Sequence, residues 1–348
     1  MLDDLKYMHE RDAQDALGIA EKQWRQYQHL FNFKWRAPRD IHDVVIAGMG
    51  GSDLAGKFLP SWPGLKVPLT ILQDYILPKH VTTNTLLVCC SYSGNTEETL
   101  SVLKQAMSDK SALKIAPMVI VVSSGGQELE LAKQAKLPVI VIPHDLQPRF
   151  AFGYQLRALI EILEQTPLLK ASIQELTGAS NFVKSSIEGW LPTVPTKSNQ
   201  AKQIAQELIG RSVVVYSGTL LAPSAYKWKI NINENAKQIA WQGTLPEFNH
   251  NEMLGWSEQP VQKPYAVIDL RTNLDHPRVQ KRFKVSERLL SGKRPAAIVV
   301  DVQGKNPIEQ LLWAVALGDF VSIYLALLNN LNPTPVDLVE KFKKALDE

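Results

Sequence analysis

The sequence predicts an α/β protein built on two parallel sheets, each flanked by helices. Three observations lead there. Short runs of aliphatic and β-branched residues, too brief for helices, recur along the chain. Stretches with helical spacing of apolar residues separate them, as the crossovers of a parallel sheet require. Two of the early runs end in corners rich in glycine or hydroxyl residues, where such sheets bind ligands.

Taken in order, the first forty residues predict a helix over Asp12–Phe31, with Trp24, Tyr27 and Phe31 spaced as packing residues. Val44–Ala47 reads as a buried strand and runs into Gly48, Met49, Gly50, Gly51 and Ser52, before a helical Leu54–Phe58. Val67–Leu72 is a further strand. Leu86–Cys90 leads into Ser91, Tyr92, Ser93, Gly94, Asn95 and Thr96, and Thr96–Met107 reads as a helix. Val119–Val122 ends in Ser123, Ser124, Gly125 and Gly126, with a helix over Glu128–Ala135, and Val139–Ile142 closes the first sheet. Phe152–Gln165 is the helix that leaves it. Thr166–Asn199, marked by Pro167, Pro192 and Pro195, is a connector with a helical middle. Strands then follow at Val213–Ser217, Ala266–Leu270 and Ala296–Asp301, with helices at Ala201–Ile209, Ala222–Ile232, Pro277–Ser291 and Pro307–Leu328. The expected segments are therefore 1–165, a connector at 166–200, a second domain at 201–330 and a helical tail at 331–348. The halves share an outline but no repeated motif.

A chain of 348 residues suits two domains, and 45% hydrophobic with 21% charged residues is ordinary for a globular protein. The formal charge of +3 and the lack of a basic stripe with interleaved aromatics argue against nucleic-acid binding. Cys89 and Cys90, adjacent in one strand, point to opposite faces; they make a poor disulfide and fit a reducing cytosol. The N-terminus carries acids where a secretory signal would be apolar. Leu311–Leu328 is long enough to span a membrane, but Asp319 at mid-length makes it a core helix.

The hydroxyl corner carries the first functional reading. A helix start has unpaired N–H groups and partial positive charge, so Ser91, Ser93 and Thr96 before Glu97 suit a phosphate or carboxylate. The competing reading is a capped turn, with Ser or Asn satisfying helix amides and nothing more. The glycine corner resembles a dinucleotide motif, yet Asp53 stands where the third glycine belongs, and no Gly-Lys-Ser/Thr ending is present. Gly50 and Gly51 then allow close approach of a small ligand, with Ser52 as a donor. Two such corners in one sheet favour a sugar phosphate over a dinucleotide.

In the second half, Asn231, Asn233, Glu234, Asn235 and Lys237 crowd one helix that their propensities do not favour. Glu247, Asn249, His250, Asn251 and Glu252 follow shortly after. One reading is a polar network that ties elements together. The other is a general base at Glu234 or Glu247 with a proton shuttle at His250.

The glycine and hydroxyl corners, the Asn233-Glu234-Asn235-Ala236-Lys237 run and the Glu247–Glu252 run together resemble the bifunctional phosphoglucose/phosphomannose isomerase family. It is a branch of the sugar isomerase (SIS-domain) superfamily, and the resemblance extends to Asn332-Pro333-Thr334-Pro335. It implies two SIS-type domains and interconversion of glucose 6-phosphate or mannose 6-phosphate with fructose 6-phosphate through a cis-enediol, with no metal and no organic cofactor. Glu234 would carry the proton between C1 and C2, and His250, donated by the partner subunit of a homodimer, would open the ring. Arg149 would stabilise enediolate charge, and Ser52, Ser91, Ser93 and Thr96 would hold the phosphate. Lys343, or Lys341, would assist ring opening, and Thr334 would contact the sugar near C2. Glu247 and Glu252 read as structural, and His42, His80, His144 and His276 as surface residues. The rival functional class is a non-catalytic sugar-phosphate-binding regulator on the same domains, which has no need of the Glu234–His250 pair. An isomerase of another phosphosugar is a third.

Overall fold

The computed structural model describes residues 1–108, 117–258 and 264–346, so the last two residues of the expected tail lie outside the described residues. Three short helices open the chain: α1 (Leu5–Arg11), α2 (Ala16–Lys22) and α3 (Trp24–Tyr27). Then follow β1 (Asp43–Gly48), α4 (Gly51–Phe58), β2 (Leu69–Leu72), β3 (Thr85–Ser91), α5 (Glu97–Met107), β4 (Met118–Ser123), α6 (Gly126–Gln134), β5 (Val139–Val141), α7 (Phe152–Gln165) and α8 (Ser172–Ile187). The second half runs α9 (Gln200–Leu208), β6 (Ser212–Ser217), α10 (Ala222–Ala236), β7 (Ala240–Thr244), α11 (Glu252–Ser257), β8 (Tyr265–Arg271), α12 (Pro277–Leu289), β9 (Ala297–Asp301), α13 (Pro307–Leu328) and α14 (Asp337–Leu346).

The chain divides into two compact units, one of residues Gln23–Ser180 and one of Met1–Lys22 with Asn181–Glu348. The first holds a five-stranded sheet in the order β2-β1-β3-β4-β5, and the second a four-stranded sheet in the order β7-β6-β8-β9. Every neighbouring pair is parallel. The order of the first four strands is the same in both: the second strand lies on one side of the first, and the chain crosses back to place the third on the other. That reversal opens a crevice at the strands' carboxyl ends, between β1 and β3 and between β6 and β8. The α/β expectation holds, and the duplication lies in topology rather than in sequence.

In the first unit, β1, β3 and β4 are almost wholly buried, and Val45, Leu87, Cys89 and Val121 pack with Val102 and Leu103 of α5 and Ala132 of α6. The two cysteines are free thiols, pushed up well above their usual range by burial first and by the charge of Glu128 second. In the second unit, Val214, Tyr216 and Val267 pack with Phe248, Trp256 and Phe283. Helix α13 is the core helix of that unit: it is apolar all round and buried from Ile308 to Leu327 apart from Glu309. Its Asp319 pairs with Lys227 of α10 at 2.5 Å and accepts a hydrogen bond from Asn231. One turn further along each helix, Asn235 donates to Ser322 at 2.9 Å. The polar stripe 227, 231, 235 thus faces a neighbouring helix of the same unit.

Two expectations are corrected. The helix expected over Asp12–Phe31 is two short ones, α2 and α3: the Asp12 carboxylate accepts the N–H groups of Ala16 at 2.7 Å and Leu17 at 2.9 Å and so delays the start to Ala16, and the helical run ends at Tyr27. Strand β7, absent from the sequence reading, is an edge strand with exposed Trp241 and Gln242, so it lacks the apolar run that marks a buried strand.

The second unit fills its own crevice. Asp275, two residues before α12, is buried and accepts the Leu220 N–H beyond β6, and a Cβ on Gly218 would lie 2.0 Å from its Oδ2. Burial raises this carboxyl to about 6 from an ordinary 3.8. The folded state therefore keeps a proton that the unfolded chain releases between those values. Stability falls as pH rises through that window and stays lower above it. Asp275→Asn retains an acceptor for Leu220. The variant is expected to exceed the wild type in stability by on the order of 2 kcal/mol at pH 8. The advantage should vanish near pH 4, as followed by thermal melts across pH; a pH-independent difference would contradict the account.

Candidate active site

The first unit assembles the anion-binding candidates at the carboxyl ends of β1 and β3. Ser91 is the last residue of β3, and its Oγ lies 2.8 Å from Thr96 Oγ1 while accepting the Gly94 N–H at 3.0 Å. Thr96 occupies the N-cap position of α5 with extended backbone, yet makes no side-chain cap bond to the helix. A capping residue in that position would accept the N–H of the second or third residue of the helix. The capped-turn reading holds in part, since Ser91, Ser93 and Asn95 accept the N–H groups of Gly94, Asn95 and Gln127, but Thr96 leaves the first turn of α5 without a side-chain cap. Ser93 is exposed, and its Oγ accepts the Asn95 N–H at 3.2 Å.

The turn is braced from below by the β4–α6 loop. Gly94 has φ +69°, and a Cβ there would meet Gly125 O at 1.8 Å, so no other residue fits. Asn95 Oδ1 accepts the Gln127 N–H at 3.1 Å, and Ser123 Oγ donates to Ser91 O at 2.7 Å. Glu128, in the first turn of α6, is fully buried with neither carboxylate oxygen bonded among the described residues, and desolvation raises it to about 8.

At the glycine corner, Gly50 precedes α4 and Gly51 and Ser52 open it. Ser52 is buried, and its Oγ accepts the Tyr92 N–H at 2.9 Å, which ties the two corners together. Asp53 turns along the helix to pair with Lys57 at 2.9 Å, so its charge is directed to α4 itself; burial raises it above the ordinary carboxylate range. Arg149, on a short 3-10 turn, is buried, and its backbone packs against Gly51: a Cβ there would come within 2.9 Å of Pro148 and 3.0 Å of Arg149 N. The Tyr92 hydroxyl fixes that loop by donating to Pro143 O at 3.0 Å and accepting Leu146 N–H at 3.0 Å. Gln155 of α7, in the amide orientation its neighbours require, donates to Gly51 O at 2.7 Å and Ser52 O at 3.1 Å.

The second unit holds the proton-transfer candidates. Glu234 is half-buried near the end of α10. Its neighbour Asn233 exchanges hydrogen bonds with the backbone of Ala240, donating to O at 3.1 Å and accepting from N at 3.3 Å, which pins this turn to the start of β7. Lys237 ends the helix in left-handed conformation, and its Nζ donates to Asn332 O at 2.9 Å and Pro333 O at 3.4 Å. This brings the Thr334 segment to the end of α10 that carries Glu234. Thr334 is half-buried, with its N–H on Asn332 Oδ1 at 3.0 Å.

His250 lies elsewhere in the unit, exposed in a 3-10 turn beyond the carboxyl end of β7. Five residues of strand, roughly 13 Å of rise, separate it from the Ala240 end to which Glu234 is tied. Lys341 and Lys343 are exposed on α14, where Lys343 pairs with Glu340 at 2.8 Å. Glu252 accepts the Tyr216 hydroxyl, which in turn accepts Trp256 Nε1 at 2.8 Å, and Glu247 accepts Asn251 at 2.7 Å. Sequence reasoning missed the roles of Tyr92 and Gln155 and the clamping role of Lys237. Tyr92 and Lys237 stood inside motifs already singled out, whereas Gln155 did not.

Residues 197–346 match the bacterial phospho-glucose isomerase C-terminal SIS domain. A glucose-6-phosphate isomerase like protein from Thermus thermophilus has a similar fold, with a TM-score of 0.63 at 18% identity over 97% of this chain and 99% of that one. Two parallel sheets of one topology, with a hydroxyl corner at a helix start, thus define a protein of the SIS-domain class. The bifunctional phosphoglucose/phosphomannose isomerase of Aquifex aeolicus is 33% identical over 334 residues, 94% of this chain and 98% of that protein. The D-glucosamine-6-phosphate 4-epimerase of Sulfolobus acidocaldarius is 32% identical over 258 residues, 72% of this chain and 78% of that protein. The chain belongs to the bifunctional phosphoglucose/phosphomannose isomerase family.

The uncapped start of α5 gives a test in which stability and binding move in opposite directions. Thr96→Asp supplies the missing cap and is expected to stabilise the fold by about 0.5–2 kcal/mol. It should also weaken binding of inorganic phosphate and fructose 6-phosphate by an order of magnitude or more, measured by calorimetry. Stabilisation with unchanged binding would return the corner to a purely structural role.

Proposed function

We propose that this protein interconverts glucose 6-phosphate or mannose 6-phosphate with fructose 6-phosphate. The observation that carries the reading is the hydroxyl corner at the uncapped start of α5, in a chain of this family. Ser52, Ser91, Ser93 and Thr96, with backbone N–H groups that Gly50 and Gly51 leave accessible, hold the phosphate ester. Glu234 takes the proton from C2 of the open-chain aldose and returns it to C1, while a second proton passes between the two oxygens of the cis-enediol. Arg149 stabilises the negative charge that builds on those oxygens.

Ring opening falls to His250 and to Lys343 or Lys341, with Thr334 beside the C2 hydroxyl. The separation of Glu234 from His250 along β7 supports a homodimer in which His250 is donated by the partner subunit. The reaction requires neither a metal nor an organic cofactor, and the proposed compartment is the cytoplasm, in sugar-phosphate metabolism.

A coupled assay of purified protein with fructose 6-phosphate in EDTA should form glucose 6-phosphate, mannose 6-phosphate or both. Glu234→Gln should lower kcat by about 10³-fold while sugar-phosphate binding changes little. Binding without turnover in the wild type would favour the regulator reading, and turnover only of an amino-sugar phosphate would favour a reaction like that of the epimerase relative. Mixing inactive Glu234→Gln with inactive His250→Asn should restore activity, because one site of each mixed dimer then holds both native side chains. No recovery would remove His250 from the partner's site.

A further inference from the structure

The two sheets leave open different gaps. In the first unit the space between the loops after β3 and β4 is closed, with the backbones of Gly94 and Gly125 in contact, and the donors gather between β1 and β3. In the second unit the β6/β8 crevice is filled by the Asp275 carboxylate on Gly218. There the gap one strand over, at the carboxyl ends of β8 and β9, forms a cavity of about 410 Å³. That volume lies within the ~300–1,000 Å³ typical of small-molecule sites.

Its lining is polar and pre-ordered. Gln310, buried on α13, accepts from Thr272 and donates to Asn273 Oδ1 at 2.9 Å and Gly304 O at 3.0 Å, which fixes the floor. Arg271 Nη2 bonds Asp269 at 2.9 Å and Glu287 at 3.0 Å, yet its Nε is buried with no partner among the described residues. Lys284, Asn273 and Asp301 also line the cavity, and the Lys284 ammonium, the Asn273 amide nitrogen and the Asp301 carboxylate make no hydrogen bond or ion pair among the described residues. An unpaired ammonium, an amide donor and one carboxylate acceptor, beside a guanidinium already paired with Asp269 and Glu287, match one phosphate plus several hydroxyls.

We propose that this cavity is a second binding site for a monophosphorylated sugar, separate from the hydroxyl corner. Lys284 and Arg271 take the phosphate, and Asn273 and Asp301 take the hydroxyls. The choice of a sugar phosphate rests on the function proposed above, whereas the cavity and its open donors do not.

The test is titration calorimetry of the full chain, as Glu234→Gln to suppress turnover, with fructose 6-phosphate. Two molecules should bind per chain. The double substitution Lys284→Ala with Asn273→Ala should weaken one by at least tenfold and spare the other. Ser91→Ala with Thr96→Val should do the reverse. All three residues altered at the rim, Gln303→Ala being the substitute if the double variant melts early, are exposed. A single site lost with the corner variant would overturn the proposal, as would a two-site isotherm unchanged by the rim variants. Equal affinity for inorganic phosphate at the second site would overturn the sugar assignment. Wild-type turnover is read separately: its absence with two sites retained would sink the isomerase reading alone, and its presence with one site would sink this proposal alone.

Discussion

Two hydroxyls that bond each other instead of a helix end set the character of this protein. Had Thr96 capped α5, the N–H groups of the first turn would be satisfied and the corner would be inert. Because Thr96 turns to Ser91, those donors and the positive end of the helix stay available to an anion. The surrounding construction serves that arrangement. Gly94 lets the turn lie against the β4–α6 loop, Tyr92 joins the turn to Ser52, and the Arg149 loop fits only because Gly51 has no side chain.

The two units solve the same topological problem in different ways. A reversal of strand order leaves an electropositive crevice, rich in backbone N–H, at the carboxyl ends of a parallel sheet. The first unit lines it with small hydroxyl residues. The second closes it with a carboxylate of its own, Asp275, which sits where an external anion would otherwise find a backbone donor. The cost is a buried acid whose ionisation the fold resists, and the benefit is an α10 start anchored through Leu220.

Much of this was legible in the sequence because the relevant signals are local. Strands β1, β3, β4, β6 and β8 are continuous apolar runs, and the corners after β1 and β3 are contiguous in the chain. What escaped was long-range or weak. β7 is half polar because its edge position exposes Trp241 and Gln242. The late start of α2, at Ala16 in place of Asp12, depends on one carboxylate that caps the helix four residues on. The asparagine-rich run carried two meanings at once: Asn231 and Asn235 answer Asp319 and Ser322 across α13, whereas Asn233 positions the neighbourhood of Glu234. No pattern along the chain separates those roles, since the partners of Asn231 and Asn235 are about ninety residues away while that of Asn233 is seven.

Hydroxyls and helix N–H groups offer donors that every phosphate monoester satisfies alike, so a corner built from them has no means of telling one sugar from another.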